Sequence, residues 1–361
     1  MNYEILARKW RPQSFQDIIG QKNIVSAVSN GLSLGRVHHA WLFSGARGVG
    51  KTTISRLLAK SLNCKEGITA APCRKCDICQ DIEKGLCLDF IEIDAASRTK
   101  VEDIKEILDN IYYFPNKGRF KIYLIDEVHM LSRHSFNALL KTLEEPPKHV
   151  KFILATTDVD KIPKTIISRC LYFNLQLLSE ENIFKHIKKI LVKENIDFHE
   201  NALKTISYYA QGSMRDALNL IEQAIQLGKG YISFNKVTEM LGIPTQKQSF
   251  LLTEALLNKN FKKIIFLLNE ISHTGISWEK ILIEMLHFLH HIAMLQSFPL
   301  IWEENQVKNF KYKINSIAKK TKKSDIQLCY KILLNGIKEL EFAPSQKIGV
   351  EMTLLRAINE I

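Results

Sequence analysis

The chain has 361 residues, 46% of them hydrophobic and 24% charged, which excludes disorder as its main state and leaves enough apolar surface to close two or three domain cores. Lysine and arginine outnumber aspartate and glutamate by 50 to 38, a formal net charge of +12. That balance favours a polyanionic partner, although excess charge also serves solubility alone.

At the N-terminus, Arg8, Lys9 and Arg11 precede no uninterrupted apolar run before Asp17, so a secretory signal is not expected and the chain reads as cytoplasmic. From about residue 37 to 175, short apolar runs alternate with helical patterns, the signature of a parallel sheet with helical crossovers. The expected strands are 40–44, 90–94, 120–125, 150–156 and 171–174, and the expected helices between them are 51–63, 101–113 and 135–143.

Gly45-Ala46-Arg47-Gly48-Val49-Gly50-Lys51-Thr52, followed by Thr53, fits the phosphate loop and stands between a strand and a helix, the context its mechanism requires. Its glycines let backbone N–H groups turn toward phosphate oxygens, and the helix beginning near Lys51 aims its positive end at them. Lys51 is expected on the β/γ oxygens, and Thr52 on Mg²⁺. Further along, Asp126 and Glu127 end the 120–125 strand and would lie beside that loop if the two strands neighbour each other. Asp126 would then hold the metal through water, and Glu127 would polarise the attacking water as general base.

Cys64, Cys73, Cys76 and Cys79 fall within sixteen residues, the last three spaced Cys-x₂-Cys-x₂-Cys in a polar loop with Lys65, Pro72, Arg74 and Lys75. Four thiolates suit a tetrahedral zinc whose closed shell makes it structural, and four cysteines also ligate iron–sulfur clusters. The remaining three of the seven cysteines are Cys87, which is left over, and Cys170 and Cys329, which read as buried thiols.

After Leu178 the strand pattern stops, and Ser179-Glu180-Glu181 opens a helix as an N-cap with first-turn acids. Two or three helices run to Gly242-Ile243-Pro244, a second boundary. Beyond it apolar residues recur at helical spacing, as in Phe261, Ile264, Ile265, Leu268 and Ile271. The most apolar stretch, 281–302, is interrupted by Glu284, three histidines and Pro299, and reads as a buried helix, not a membrane span. The predicted division is therefore an α/β domain over 1–178, a small helical domain over 179–242 and an all-α domain over 243–361.

The phosphate loop, Asp126-Glu127, Ala155-Thr156-Thr157, Ser168-Arg169-Cys170 and Gly212-Ser213-Met214-Arg215-Asp216-Ala217 together resemble the AAA+ clamp loaders. Within them, Ala7-Arg8-Lys9-Trp10-Arg11-Pro12 and the cysteine insertion resemble the bacterial DNA polymerase III gamma/tau family. The resemblance covers nearly the whole chain and implies zinc as the metal, a helical lid and an all-α collar.

By the same resemblance, Thr157 is a sensor contacting the γ-phosphate or the water, and Arg215 is a second sensor on a lid helix. Arg169 is implied to reach the ATP of a neighbouring subunit, and Arg11 and Pro12 to line the adenine and ribose pocket. Read alone, Arg169 caps a helix and Arg215 pairs with Asp216 or a nearby glutamate. Helix starts bearing Arg98, Lys100, Lys141 and Lys161 are implied to face DNA in the central channel, gripping phosphates without reading bases.

The implied activity is ATP hydrolysis that opens the beta sliding clamp and loads it on primer-template DNA. The implied partners are further copies of the chain, the delta and delta-prime subunits, the clamp and the polymerase core. The chain ends at Ile361, short of the C-terminal extension by which longer forms hold polymerase and helicase, so the resemblance is not carried to that tether. Two rivals are a nucleotide-binding scaffold without hydrolysis, against which Lys51, Asp126 and Glu127 argue, and a helicase-like motor, suggested by Asp126-Glu127-Val128-His129 but lacking a second helicase-type motif set.

Overall fold

A computed structural model describes residues 4–97, 110–272, 275–298 and 311–361. The chain divides into two compact units, Met1–Ile232 and Ser233–Ile361.

Five parallel strands, β1 (Ala40–Ser44), β2 (Phe90–Asp94), β3 (Lys121–Asp126), β4 (Val150–Thr156) and β5 (Leu171–Asn174), form one sheet in the order β2-β3-β4-β1-β5. β1 and β4 are buried along their whole length, as befits strands covered on both faces. Their side chains divide with period two. Trp41, Phe43, Ile122, Leu124, Ile153 and Ala155 enter one apolar cluster, and Ala40, Leu42, Tyr123, Ile125, Phe152 and Leu154 the other. Helix α1 (Leu6–Lys9) opens the N-terminal arm, and α2 (Lys22–Ser33) leads to β1. On the first face α3 (Lys51–Asn63) contributes Ile54, Leu57, Leu58 and Leu62, and α4 (Asp77–Lys84) contributes Ile78 and Ile82. On the second face α5 (Arg133–Glu144) contributes Phe136, Leu139 and Leu143.

Four expectations are corrected or cut back here. β3 and β1 are not neighbours, because β4 lies between them. The third strand starts and ends one residue later than expected, since Lys121 and Asp126 still pair with the flanking strands. α5 is longer than the 135–143 expected, because Ser132 accepts a bond from the backbone N–H of Ser135 and caps it earlier. Of the expected 101–113 helix, residues 101–109 lie outside the described residues, and Asn110–Tyr112 forms a single 3₁₀ turn.

The rest of the first unit holds α6 (Lys164–Ile167), α7 (Glu180–Lys193), α8 (Glu200–Tyr209) and α9 (Met214–Leu227). Ser179 caps α7 and Ser213 caps α9, each accepting a backbone N–H three residues on. Contrary to the sequence pattern, strands do not stop at Leu178: Asp197–Phe198 and Tyr231–Ile232 form a short parallel pair.

The second unit is helical. Its elements are α10 (Phe234–Met240), α11 (Gln246–Leu257), α12 (Phe261–Ser272), α13 (Trp278–Ser297), α14 (Lys311–Lys320), α15 (Lys323–Glu339) and α16 (Gln346–Glu360). One apolar cluster joins α11 to α16, including Leu256, Leu268, Met285, Leu289, Leu333 and Leu354. α13 is the expected buried helix. Among the described residues no helix is long and apolar enough to cross a membrane.

Candidate nucleotide cleft and cysteine module

The segment joining β1 to α3 turns on Gly45, Gly48 and Gly50, with φ of +142°, +78° and +108°. At Gly48 a side chain is excluded by space as well: an added Cβ would lie 2.0 Å from Ser213 Oγ and 3.2 Å from Arg215 Cβ. The loop therefore packs directly beneath the N-terminus of α9, which brings Arg215 to its rim. α3 follows with its unpaired N–H groups facing the loop, an arrangement that favours anions.

Lys51 is buried, and its ammonium donates to the carbonyls of Gly45 at 2.7 Å and Ala46 at 3.0 Å. Burial pulls its pKa below the ordinary lysine value, while Glu127 and Asp126 pull it back up. Thr52 Oγ1 donates to Asp126 Oδ2 at 2.9 Å, so the loop and the end of β3 meet across the intervening end of β4. The two oxygens make a hard-donor pair that suits Mg²⁺.

Glu127 adopts a left-handed backbone with φ of +47°, rare for a residue with a side chain. Its Oε2 accepts from the backbone N–H of Thr157 at 3.0 Å and from Thr157 Oγ1 at 2.9 Å. His129 Nδ1 lies 3.4 Å from the same carboxylate oxygen and 3.0 Å from Thr156 Oγ1. Because the Thr156 hydroxyl donates to the Asp158 carbonyl at 2.9 Å, it accepts from His129, which places the proton on Nδ1. His129 entered the sequence reading only through the helicase rival, and its signal there was its position two residues after Glu127.

Lys51, Thr52, Asp126 and Glu127 border a cleft of about 480 Å³, within the roughly 300–1,000 Å³ of small-molecule sites, whereas Thr157, bonded to Glu127, is not among its lining residues. Residues 47–53, Asp126, Glu127, Arg215, Arg11 and Pro12 all line it. Gly45 and Ala46 serve instead through their carbonyls on Lys51. Arg11 is held below the usual arginine value by burial and by the neighbouring charge of Arg56, with Glu92 opposing. Arg56 itself forms a two-point pair with Glu92 at 2.6 and 2.5 Å. Sequence reasoning missed the cleft's apolar wall of Ile18, Ile19, Leu178, Met214 and Leu218. Only Met214 among them lies in a motif, and the five converge from three separate segments.

Arg169 does not line the cleft. Its guanidinium donates to Glu144 Oε1 at 2.6 Å and to the Thr165 carbonyl at 2.8 Å, so within one chain it caps α6. Of the residues implied to face DNA, Lys141 is exposed on α5 and Lys161 pairs with Asp158 at 3.0 Å, while Arg98 and Lys100 lie outside the described residues.

The sulfurs of Cys64, Cys73, Cys76 and Cys79 all lie within 4.8 Å of one another. A tetrahedral zinc with bonds of about 2.3 Å sets its sulfurs about 3.8 Å apart, so the four thiols fit such an ion. Cys64 ends α3 and Cys76 caps α4, where its sulfur accepts from the Cys79 N–H at 3.5 Å. Backbone N–H groups of Cys76 and Lys75 draw Cys73 down to about 7, toward the thiolate a metal needs, whereas burial pushes Cys79 up. Burial also pushes Cys170 and Cys329 up to about 12, in keeping with inert thiols.

The module is tied to β3 as well. The Asn63 side chain donates to the Phe120 carbonyl at 2.8 Å and accepts from its N–H at 2.9 Å, and Arg119 donates to the Leu62 carbonyl at 3.0 Å. Buried Asp89 accepts the backbone N–H groups of Asn116, Lys117 and Gly118 at 2.6–2.8 Å, fixing the turn that feeds β3.

Comparison with known proteins yields three matches to family profiles. Residues 20–179 match that of the DNA polymerase III delta subunit, 182–230 that of the DNA polymerase III clamp loader subunit ATPase lid domain, and 232–360 that of domain III of the DNA polymerase III subunits gamma and tau. The chain is 70% identical to the DNA polymerase III subunit gamma of Buchnera aphidicola subsp. Acyrthosiphon pisum over 361 residues, 100% of both chains. It is 55% identical to the DNA polymerase III subunit tau of Escherichia coli K12 over 358 residues, 99% of this chain and 56% of that one. With the tau subunit of Bacillus subtilis it shares 40% identity over 83% of this chain and 53% of that one. A five-stranded parallel α/β domain bearing a phosphate loop and a four-cysteine module, a lid and a helical domain III thus belong together in one lineage: the chain is a member of the DNA polymerase III gamma/tau family of AAA+ clamp loader subunits.

Proposed function

We propose that the chain hydrolyses ATP to ADP and phosphate, and that it does so as one of several copies assembled with delta and delta-prime subunits to open the beta sliding clamp and load it on primer-template DNA for the polymerase core, in the cytoplasm. The observation that carries this reading is the meeting of Lys51, Thr52, Asp126 and Glu127 at one end of the sheet, with Thr52 and Asp126 already 2.9 Å apart. A nucleotide-binding scaffold has no need of a second carboxylate, Glu127, in the cleft beside Asp126.

In this reading the backbone of residues 45–52 and the start of α3 receive the triphosphate, and Lys51 exchanges its loop carbonyls for β/γ oxygens. Thr52 and Asp126 would hold Mg²⁺, which supplies neutralisation of phosphate charge when bound. Glu127 leaves Thr157, takes a proton from the attacking water and so raises its nucleophilicity, and Thr157 is then free to meet the γ-phosphate. Arg215 completes the cation set from the lid, and Arg11 and Pro12 face the nucleoside. Arg169 exchanges Glu144 for the ATP of an adjoining copy, where a guanidinium stabilises charge developing on the transferred phosphoryl group.

The 1–178, 179–242 and 243–361 segments would serve as nucleotide domain, lid and collar. Lys141 and Lys161, with Arg98 and Lys100 outside the described residues, would meet DNA phosphates. The four cysteines would hold a structural zinc.

ATPase measurements on the reconstituted complex, with and without clamp and primed DNA, test the reading. Lys51→Ala should abolish nucleotide binding and turnover. Arg169→Ala in every copy should leave binding intact and slow hydrolysis by about 10³-fold or more, the scale of an arginine supplied from a neighbour. Normal turnover in either variant contradicts the corresponding role.

A further inference from the structure

Lys60 sits near the end of α3 with 2% of its surface exposed, a placement that penalises a charged ammonium unless acceptors surround it. Two do. Nζ donates to Glu83 Oε2 at 3.0 Å and to Gln13 Oε1 at 2.8 Å. Glu83 belongs to α4, which is capped by Cys76 and carries Cys79 in its first turn. Gln13 directly follows Arg11 and Pro12, which line the nucleotide cleft.

Residues 11–14 form neither helix nor strand, and Pro12 has no N–H to donate, so side-chain ties place this stretch. On the lid side, the Leu6 N–H donates to Glu222 at 3.0 Å and Trp10 Nε1 donates to Glu194 at 2.8 Å. On the sheet side the tie is Gln13 to Lys60, strengthened by the low dielectric around a buried charge.

We propose that Glu83, Lys60 and Gln13 form a positioning relay through which the cysteine module sets the N-terminal arm against the nucleotide. The module then governs nucleotide affinity at a cleft that none of its own residues touches. The inference rests on the nucleotide reading of the cleft and on zinc at the four thiols.

Equilibrium binding of a fluorescent, non-hydrolysable ATP analogue to the full chain tests it. Gln13→Ala and Glu83→Ala should each weaken binding by about tenfold or more, the scale of one hydrogen bond to a charged group, while Gln13→Glu, which keeps an acceptor for Lys60, should bind like the wild type. In the reconstituted complex the alanine variants should raise KM and leave kcat unchanged. Stripping zinc from the wild-type chain should weaken binding by the same factor, and stripping it from Glu83→Ala should add nothing further.

Wild-type affinity in both alanine variants, with Lys51→Ala failing to bind, would overturn the relay and leave the nucleotide reading standing. Equal weakening by zinc removal in Glu83→Ala and wild type would overturn it too, since the module would then act by another route. A wild-type chain that binds no analogue overturns the nucleotide reading, and the relay with it.

Discussion

The phosphate loop and the cysteine module occupy opposite ends of the same helix, α3, and are built by different means. At the N-terminal end the polar groups bond to one another: Lys51 is bonded to Gly45 and Ala46, Thr52 to Asp126, and Glu127 to Thr157. At the C-terminal end four thiols face one another with only weak N–H to sulfur contacts of 3.4–3.5 Å among them. The first arrangement is held by hydrogen bonds within the protein. The second has the donor set of a metal site, and a site of that kind draws folding energy from its ion.

Three substitutions on α3 and its loop sharpen this contrast. Cys64→Ser is expected to act most strongly. It removes a fully buried ligand, should lower zinc content well below one per chain, and should destabilise the first unit by about 3–5 kcal/mol, the order of other buried-network losses. Metal analysis with X-ray absorption and limited proteolysis across 65–88 would check it, and a variant that keeps stoichiometric zinc would erase the distinction drawn above. Gly48→Ala should do the reverse: zinc stays while affinity for an ATP analogue falls about 30-fold. A non-glycine at φ +78° is strained by about 1–2 kcal/mol, and the added methyl displaces the Ser213 cap, worth about 1 kcal/mol more. Asn63→Ala should have the smallest effect, about 2 kcal/mol in a urea melt, by leaving the Phe120 N–H and carbonyl without their side-chain partner. It should disturb zinc and nucleotide binding only slightly, because both ends of α3 keep their own contacts.

What the sequence made legible follows the same division. The phosphate loop, Asp126-Glu127 and the cysteine spacing are contiguous, so their chemistry could be read before any folding was known. The strands were legible because β1 and β4 are buried on both faces and carry unbroken apolar runs. Sheet order was not, since adjacency of β1 and β3 depends on which crossover inserts β4 between them. Nor was the apolar wall of the cleft, where Ile18, Leu178 and Leu218 come from distant segments. The partners of Lys60 stand 47 and 23 positions away, and that of Asn63 stands 57 away. No periodicity encodes such pairs, because side chain meets side chain only after the core has closed. For Arg169 the bond to Thr165 agrees with the helix-capping alternative that its sequence suggested.

The insertion of β4 between the phosphate loop and the acidic pair has a mechanical consequence. A strand of seven buried residues hydrogen-bonded on both sides is among the stiffest elements a small protein can offer, and its last residue and the one that follows it carry the hydroxyls of Thr156 and Thr157. Because β4 pairs with β1 on one side and β3 on the other, a displacement of a few tenths of an ångström at its tip would be registered on both flanks at once, beside the direct bond of Thr52 to Asp126.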